Sequence, residues 1–189
     1  MKLLTNHRLT ILAGFVLAAI LIGAGIAKSG HVPNVYDLAR WGHFLAGITW
    51  VGLLYFFNFV QAPALANVSP ETKAELFKPC GMVRMALWWF RWAAMATLVF
   101  GGILYMHLAA TGAEGVDIRI GATLAIIMWF NVWFIIWPAQ KKVVGIVDTA
   151  AEVKAAAARR ALIASRTNVL LSIPMLFFMA SSAHFPIFN

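Results

Sequence analysis

The stretch RWGHFLAGITWVGLLYFFNFVQAP, residues 40–63, is almost all hydrocarbon, yet it carries His43 within its first turns. Its apolar positions run continuously rather than alternating, which reads as a helix, and its length meets the roughly 20 residues needed to cross a bilayer. An imidazole in such a segment needs a partner, because burying an unpaired polar group is costly. Finding that partner decides how the rest of the chain is read.

The surrounding composition agrees with a membrane setting. Of 189 residues, 62% are hydrophobic and 12% charged, and the mean hydropathy is +0.81. Only helices or closed barrels span a bilayer, and continuous apolar runs favour helices, so the fold class is an all-α integral membrane bundle. The net charge of +8 is no nucleic-acid signal, since Lys and Arg gather on the cytoplasmic side of membrane proteins. The single Cys80 excludes an intrachain disulfide and a cysteine-cluster metal site.

Five spans are expected, at about 9–27, 37–61, 90–111, 118–138 and 167–186. No repeat or linker divides them, so residues 1–189 are expected to form one domain. The start, MKLLTNHRLTILAGFVLAAILIGAGIA, has the basic, apolar and small-residue order of a signal peptide. It is read here as the first transmembrane helix. With a cytoplasmic N-terminus, the inner segments hold Lys2, Arg8, Lys73, Lys78, Arg84, Lys141, Lys142, Lys154, Arg159, Arg160 and Arg166. The outer segments hold only Lys28, Arg40 and Arg119, and this bias places the C-terminus in the periplasm. Arg91, beside Trp88, Trp89 and Trp92, falls in the inner aromatic belt and snorkels from there. Residues 139–165 are expected to be cytoplasmic, continuing span four as a helix and then forming a second helical stretch. Pro174 is expected to kink span five.

That orientation gives the histidines meaning. His43 lies roughly 6–10 Å below the outer surface at 1.5 Å per residue. His107 lies about 24 Å beyond Arg91 by the same rise, and His184 near the outer end of span five. Three helices are therefore expected to bring His43, His107 and His184 to one level, while His7 lies on the other side. Haem b is held by paired axial imidazoles between helices. A copper or zinc ion would want three or four N, S or carboxylate ligands. The membrane segments are read as free of Asp and Glu, and Gly42, Gly47, Gly101 and Gly102 offer room for a flat macrocycle, so haem is favoured over copper. Met106, Met175 and Met179 could serve soft copper, although Met is common in apolar cores. An interfacial histidine bonded to water or backbone is the plainer alternative.

His43, Gly47, Trp50, Leu54, Asn58 and Gln61 recur at spacings of three and four and share one helix face. Asn131, and Trp129, Trp133 and Trp137 at i, i+4 and i+8, give span four a similar face. A cofactor and quinone face is one reading. Helix packing with interhelical hydrogen bonds is the plainer one for the amides and tryptophans.

HFLAGITWVGLLYFFNF resembles the histidine-bearing helix of the bacterial membrane-bound urate oxidase (urate hydroxylase) family. WWFRWAAMATLVFGGILY, NVWFIIWPAQKKVV and SRTNVLLSIPMLFFMASSAHFP are similar to later blocks of its N-terminal membrane domain. The resemblance covers about residues 38–189. It implies a membrane redox module passing electrons toward cytochrome c, with His43 and His184 on the family's recurrent histidines. The sequence departs from that pattern. It holds no CxxCH for a covalent haem c and lacks several of the longer domain's helices. Arg91 and Ala93 stand where the resemblance implies Lys and Glu, and Thr167 where it implies His. The module is carried over, and the urate substrate is not. The expected function is a b-type haem protein of the bacterial inner membrane, moving electrons between a quinol or partner enzyme and a periplasmic acceptor. Its expected ligands are His43 and His184, with His107 third and Gly47 and Trp50 lining the cofactor. A small-substrate oxidase working with a separate cytochrome c, and a cofactor-free subunit of a larger membrane complex, are the alternatives. A homo-oligomer would suit the small residues of the first span.

Overall fold

The computed structural model describes residues 2–188, and every regular element among them is helical. The helices are α1 (Lys2–Thr5), α2 (His7–Ser29), α3 (Val35–Ala66), α4 (Pro70–Leu76), α5 (Met82–Ala110), α6 (Val116–Val143) and α7 (Ala151–His184). Helices α2, α3, α5, α6 and α7 are long and apolar enough to cross a membrane. They follow the five expected runs in order, but each begins ahead of its expected first residue. Arg84 thus lies inside α5 rather than ahead of it, because long basic side chains can remain in a helix and snorkel.

The chain divides into two units, residues 1–37 and 38–189. In the first, Asn6 caps α2 by accepting from the backbone N–H of Arg8 and Leu9. Gly30 ends that helix in the left-handed region, φ 71°, where a side chain would be strained. Asn34 Oδ1 accepts from the N–H of Tyr36 and Asp37, and Asp37 Oδ2 accepts from the N–H of Asn34. This reciprocal capping starts α3.

The second unit is an up–down bundle, and its contacts give the register. Between α3 and α5, Gly42 meets Phe100, His43 meets Thr97 and Phe57 meets Phe90. Between α5 and α6, Arg84 meets Val144, Arg91 meets Trp137 and Trp92 meets Trp133. Asp117 meets Ser181, Gly121 meets Met179 and Asn131 meets Asn168 across α6 and α7. Tyr55 meets Ser172 and Asn58 meets Ser165 across α3 and α7. In each pair one number rises as the other falls, so neighbours are antiparallel and the four helices close into a ring. Trp50, Leu54, Phe90, Ala94, Met128, Val132 and Met175 fill its core.

Two wide π turns interrupt the spans, Phe56–Gln61 in α3 and Asn131–Ile136 in α6. Asparagine amides satisfy the carbonyls just ahead of both. Asn58 Nδ2 donates to Leu54 O (2.8 Å), and Asn168 Nδ2 donates to Met128 O (2.9 Å). Such turns are rare and concentrate at functional sites.

Three expectations need correction. The helix expected between the end of span four and span five is not a separate piece, because α7 runs unbroken for 34 residues and passes through Pro174. Its alanine-rich start offers no helix breaker. Gly145, at φ 71°, instead marks the end of α6. At 1.5 Å per residue α7 is about 51 Å long, more than the roughly 30 Å of hydrocarbon in a bilayer. The spans are also not free of carboxylates. Asp37 lies in the first turn of α3 and Asp117 in the first turn of α6. Asp117 is buried and accepts from Ser181 Oγ (2.7 Å), Ile187 N–H (2.8 Å) and Phe188 N–H (3.0 Å). It ties the segment after α7 back onto α6. The third correction, the depth of His107, is given with the site.

Asn131 Nδ2 donates to Asn168 Oδ1 at 2.8 Å, and both residues are buried. Replacing Asn168 with Ala should destabilise the bundle by about 1–3 kcal/mol, since Met128 O and the Asn131 amide lose a partner. A double-mutant cycle with Asn131→Ala, read by denaturant titration in detergent, should give a coupling of about 0.6–1.7 kcal/mol. Additive effects would show that the pair is not coupled.

Candidate functional site

The partner of His43 is a backbone carbonyl. His43 Nδ1 lies 3.0 Å from Thr97 O on α5. A carbonyl only accepts, so the proton sits on Nδ1 and Nε2 keeps its lone pair. The Thr97 hydroxyl is directed elsewhere, donating to Ala93 O at 2.8 Å. One turn above Thr97 is Gly101. A Cβ there would stand 2.9 Å from His43 Cε1 and 3.2 Å from Nδ1, so the ring occupies the space that glycine leaves. Gly42 plays the reciprocal part on α3, where a Cβ would come within 2.8 Å of the Phe100 ring. Gly47 faces Thr97 Cγ2 at ordinary contact distance, 4.0 Å. Close approach of α3 and α5 therefore positions the imidazole.

The other histidines can be placed by helix register. The Tyr55 hydroxyl meets Ser172 Oγ at 2.9 Å. Along α3 and α7, His43 and His184 lie the same number of residues from that contact and toward the same end, about 18 Å of rise on each helix. They therefore share a level. His184 is the exposed last residue of α7. His107 does not share that level. It lies six residues past Gly101, about 9 Å further along α5. Counting from Arg91 set its depth wrongly, because α3 meets α5 at Thr97 and Gly101, well before His107. Among the described residues no three of His, Cys, Asp and Glu form a group that could hold a metal ion, so those side chains assemble no three-ligand copper or zinc site there.

Below His43 the shared face of α3 points inward as expected. Trp50 and Leu54 are buried in the main core, so Trp50 is packed among side chains. Asn58 Nδ2 donates to Ser165 Oγ at 2.7 Å. Its Oδ1, Gln61 Oε1 and the indole N–H groups of Trp50, Trp129 and Trp133 are buried with no hydrogen-bond partner among the described residues. Asn168, Ser172, Ser181 and Tyr55 were not singled out in the sequence. Their only signal was isolated polar side chains, one of them a tyrosine hydroxyl, inside apolar runs. Met175 is in the core and Met179 packs on Gly121.

The fold and these contacts define a polytopic helical membrane protein. Residues 102–189 match the family described as urate oxidase N-terminal, so a little under half of the chain is similar to that family. The match takes in the end of α5, all of α6 and α7, and with them His107 and His184. His43 lies outside it. No curated protein and no solved structure matches the chain.

Gly101→Ala should force the His43 ring and α5 apart and destabilise the protein by about 1–3 kcal/mol, as overpacking does. Much of that loss should return in Gly101→Ala combined with His43→Ala, which removes the clashing ring. Thermal melting in detergent reads both, and a Gly101→Ala variant as stable as the parent would contradict the packing.

Proposed function

We propose that this chain is a membrane redox subunit that holds a b-type haem at His43. It exchanges electrons between a quinol or partner enzyme and a periplasmic acceptor such as a cytochrome c. The observation that carries the reading is the Nδ1–H to Thr97 O bond. A metal-ligating imidazole typically donates its other ring N–H to a carbonyl or carboxylate, which fixes the tautomer and raises ligand basicity. His43 meets that requirement, and its ring is held by the glycine at 101. His43, through Nε2, and His184, at the same level, would hold the haem. When bound, the haem would supply one-electron exchange.

The chain's own groups orient and insulate. Thr97 O fixes the ring, Gly101 admits it, and the core around Trp50, Leu54 and Phe90 separates it from the basic end of the bundle. The basic residues of 141–166 support a cytoplasmic location for that end by the positive-inside rule. His43 then faces the periplasm, in a bacterial inner membrane. The unpartnered amide oxygens of Asn58 and Gln61, near the π turn of α3, are suited to accept from a quinol hydroxyl.

A second reading, small-substrate oxidation with a separate cytochrome c, is favoured by the urate oxidase N-terminal match. Arg91, Ala93 and Thr167 argue against urate as that substrate. A visible spectrum of the detergent-purified protein tests the first reading. A Soret band with sharp reduced α and β bands, lost in His43→Ala and retained in His107→Ala, is the expected result. No such bands in the intact protein would overturn it and favour a cofactor-free packing subunit. Bands of copper or non-haem type, with urate-dependent cytochrome c reduction, would favour the second.

A further inference from the structure

At the basic end of the bundle, α5 carries Arg84 and Arg91 seven residues apart, so both lie on one face. They line a cavity of about 430 Å³ with Trp88, Trp89, Trp137 and Val144. Among the described residues none of those lining it is acidic, and neither guanidinium has an ion pair. The Arg91 guanidinium lies over the Trp137 ring, 3.7 Å from its centroid. Its Nη1 is buried with no hydrogen-bond partner, as is Arg84 Nε. Arg84 Nη2 donates to Val144 O, which leaves the rest of that fork unused. Lys141 Nζ adds positive charge 6.0 Å from the Trp137 ring. Two stacked or anchored guanidiniums with unmet donors form a receptor for a phosphate or carboxylate.

The cavity does not end there. It shares Met85 and Trp89 with a second depression of about 760 Å³ between α3 and α5, lined also by Ile48, Gly52, Leu53 and Met82. That groove is almost wholly apolar. A cationic cup running into an apolar trough matches an amphiphile with an anionic head and a hydrocarbon chain. A free anion would fill only the cup.

We propose that Arg84, Arg91 and Trp137 seat the phosphate of an anionic phospholipid, with an acyl chain lying in the Met85–Trp89 groove. The site is independent of the haem reading, since none of its residues touches His43. Basic residues at membrane surfaces gain roughly fivefold each from anionic lipid. The full-length protein in neutral detergent should therefore retain phosphatidylglycerol about thirty-fold more tightly than phosphatidylcholine, from two such residues. Native mass spectrometry at graded lipid concentrations reads this. Arg84→Gln with Arg91→Gln should abolish the preference, while Arg159→Gln with Arg160→Gln, exposed on α7 and outside the cavity lining, should retain it. Inorganic phosphate alone should not displace the lipid. Equal retention of the two lipids by the unaltered protein overturns the proposal, whatever the variants do. Displacement by millimolar phosphate would also overturn it, in favour of a soluble anion. Should the double arginine variant fail to fold, Arg91→Lys keeps the charge but loses the planar stack on Trp137. It should weaken retention severalfold.

Discussion

A polar group inside hydrocarbon has no water to fall back on, and that constraint organises this bundle. Lipid tails are as apolar as leucine, so transfer from solvent does not drive the helices together; packing and interhelical polar contacts do. Each neighbouring pair in the ring has at least one such contact. His43 to Thr97 joins α3 and α5, and Arg84 to Val144 joins α5 and α6. The Asn131–Asn168 and Asp117–Ser181 contacts join α6 and α7, and Tyr55–Ser172 and Asn58–Ser165 join α7 to α3. Sliding one helix by a turn would orphan several of these groups together, so they set the register as well as the association.

The same constraint gives His43 its chemical character. The ring could have been satisfied by a hydroxyl, which donates or accepts as needed. A backbone carbonyl offers no such choice and commits the proton to Nδ1. The cost is a glycine at 101, without which the helices could not come close enough. What results is an imidazole of fixed tautomer and restricted rotation, with Nε2 available. That is the preparation a ligand needs, and it arises from packing rather than from a separate set of functional residues.

Much of this was legible in sequence because it depends on patterns of residue type. Five apolar runs give five long helices, and the three-and-four spacing of His43, Trp50, Leu54 and Asn58 gives the inward face of α3. The need of His43 for a partner was also legible. The partner's identity was not, since every residue carries a carbonyl and no side chain marks the one at Thr97. Asp117 was overlooked because it lies at the edge of an apolar run, where a carboxylate reads as solvated. Its donors come from the segment beyond α7, far away in sequence. The depth of His107 was misjudged because rise along one helix says nothing about where a neighbour crosses it. The π turns and the unbroken path of α7 through Pro174 depend on tertiary contacts that no local pattern encodes.

The tautomer of one ring carries the redox reading. Nitrogen-15 NMR of histidine-labelled protein, reduced so that any haem iron is low-spin and diamagnetic, resolves which ring nitrogen of His43 bears hydrogen. A pyrrole-type Nδ1 signal, absent in His43→Ala, is expected. A proton on Nε2 instead would mean that Thr97 O does not hold the ring and that Nε2, the nitrogen assigned to the metal, has no lone pair to offer.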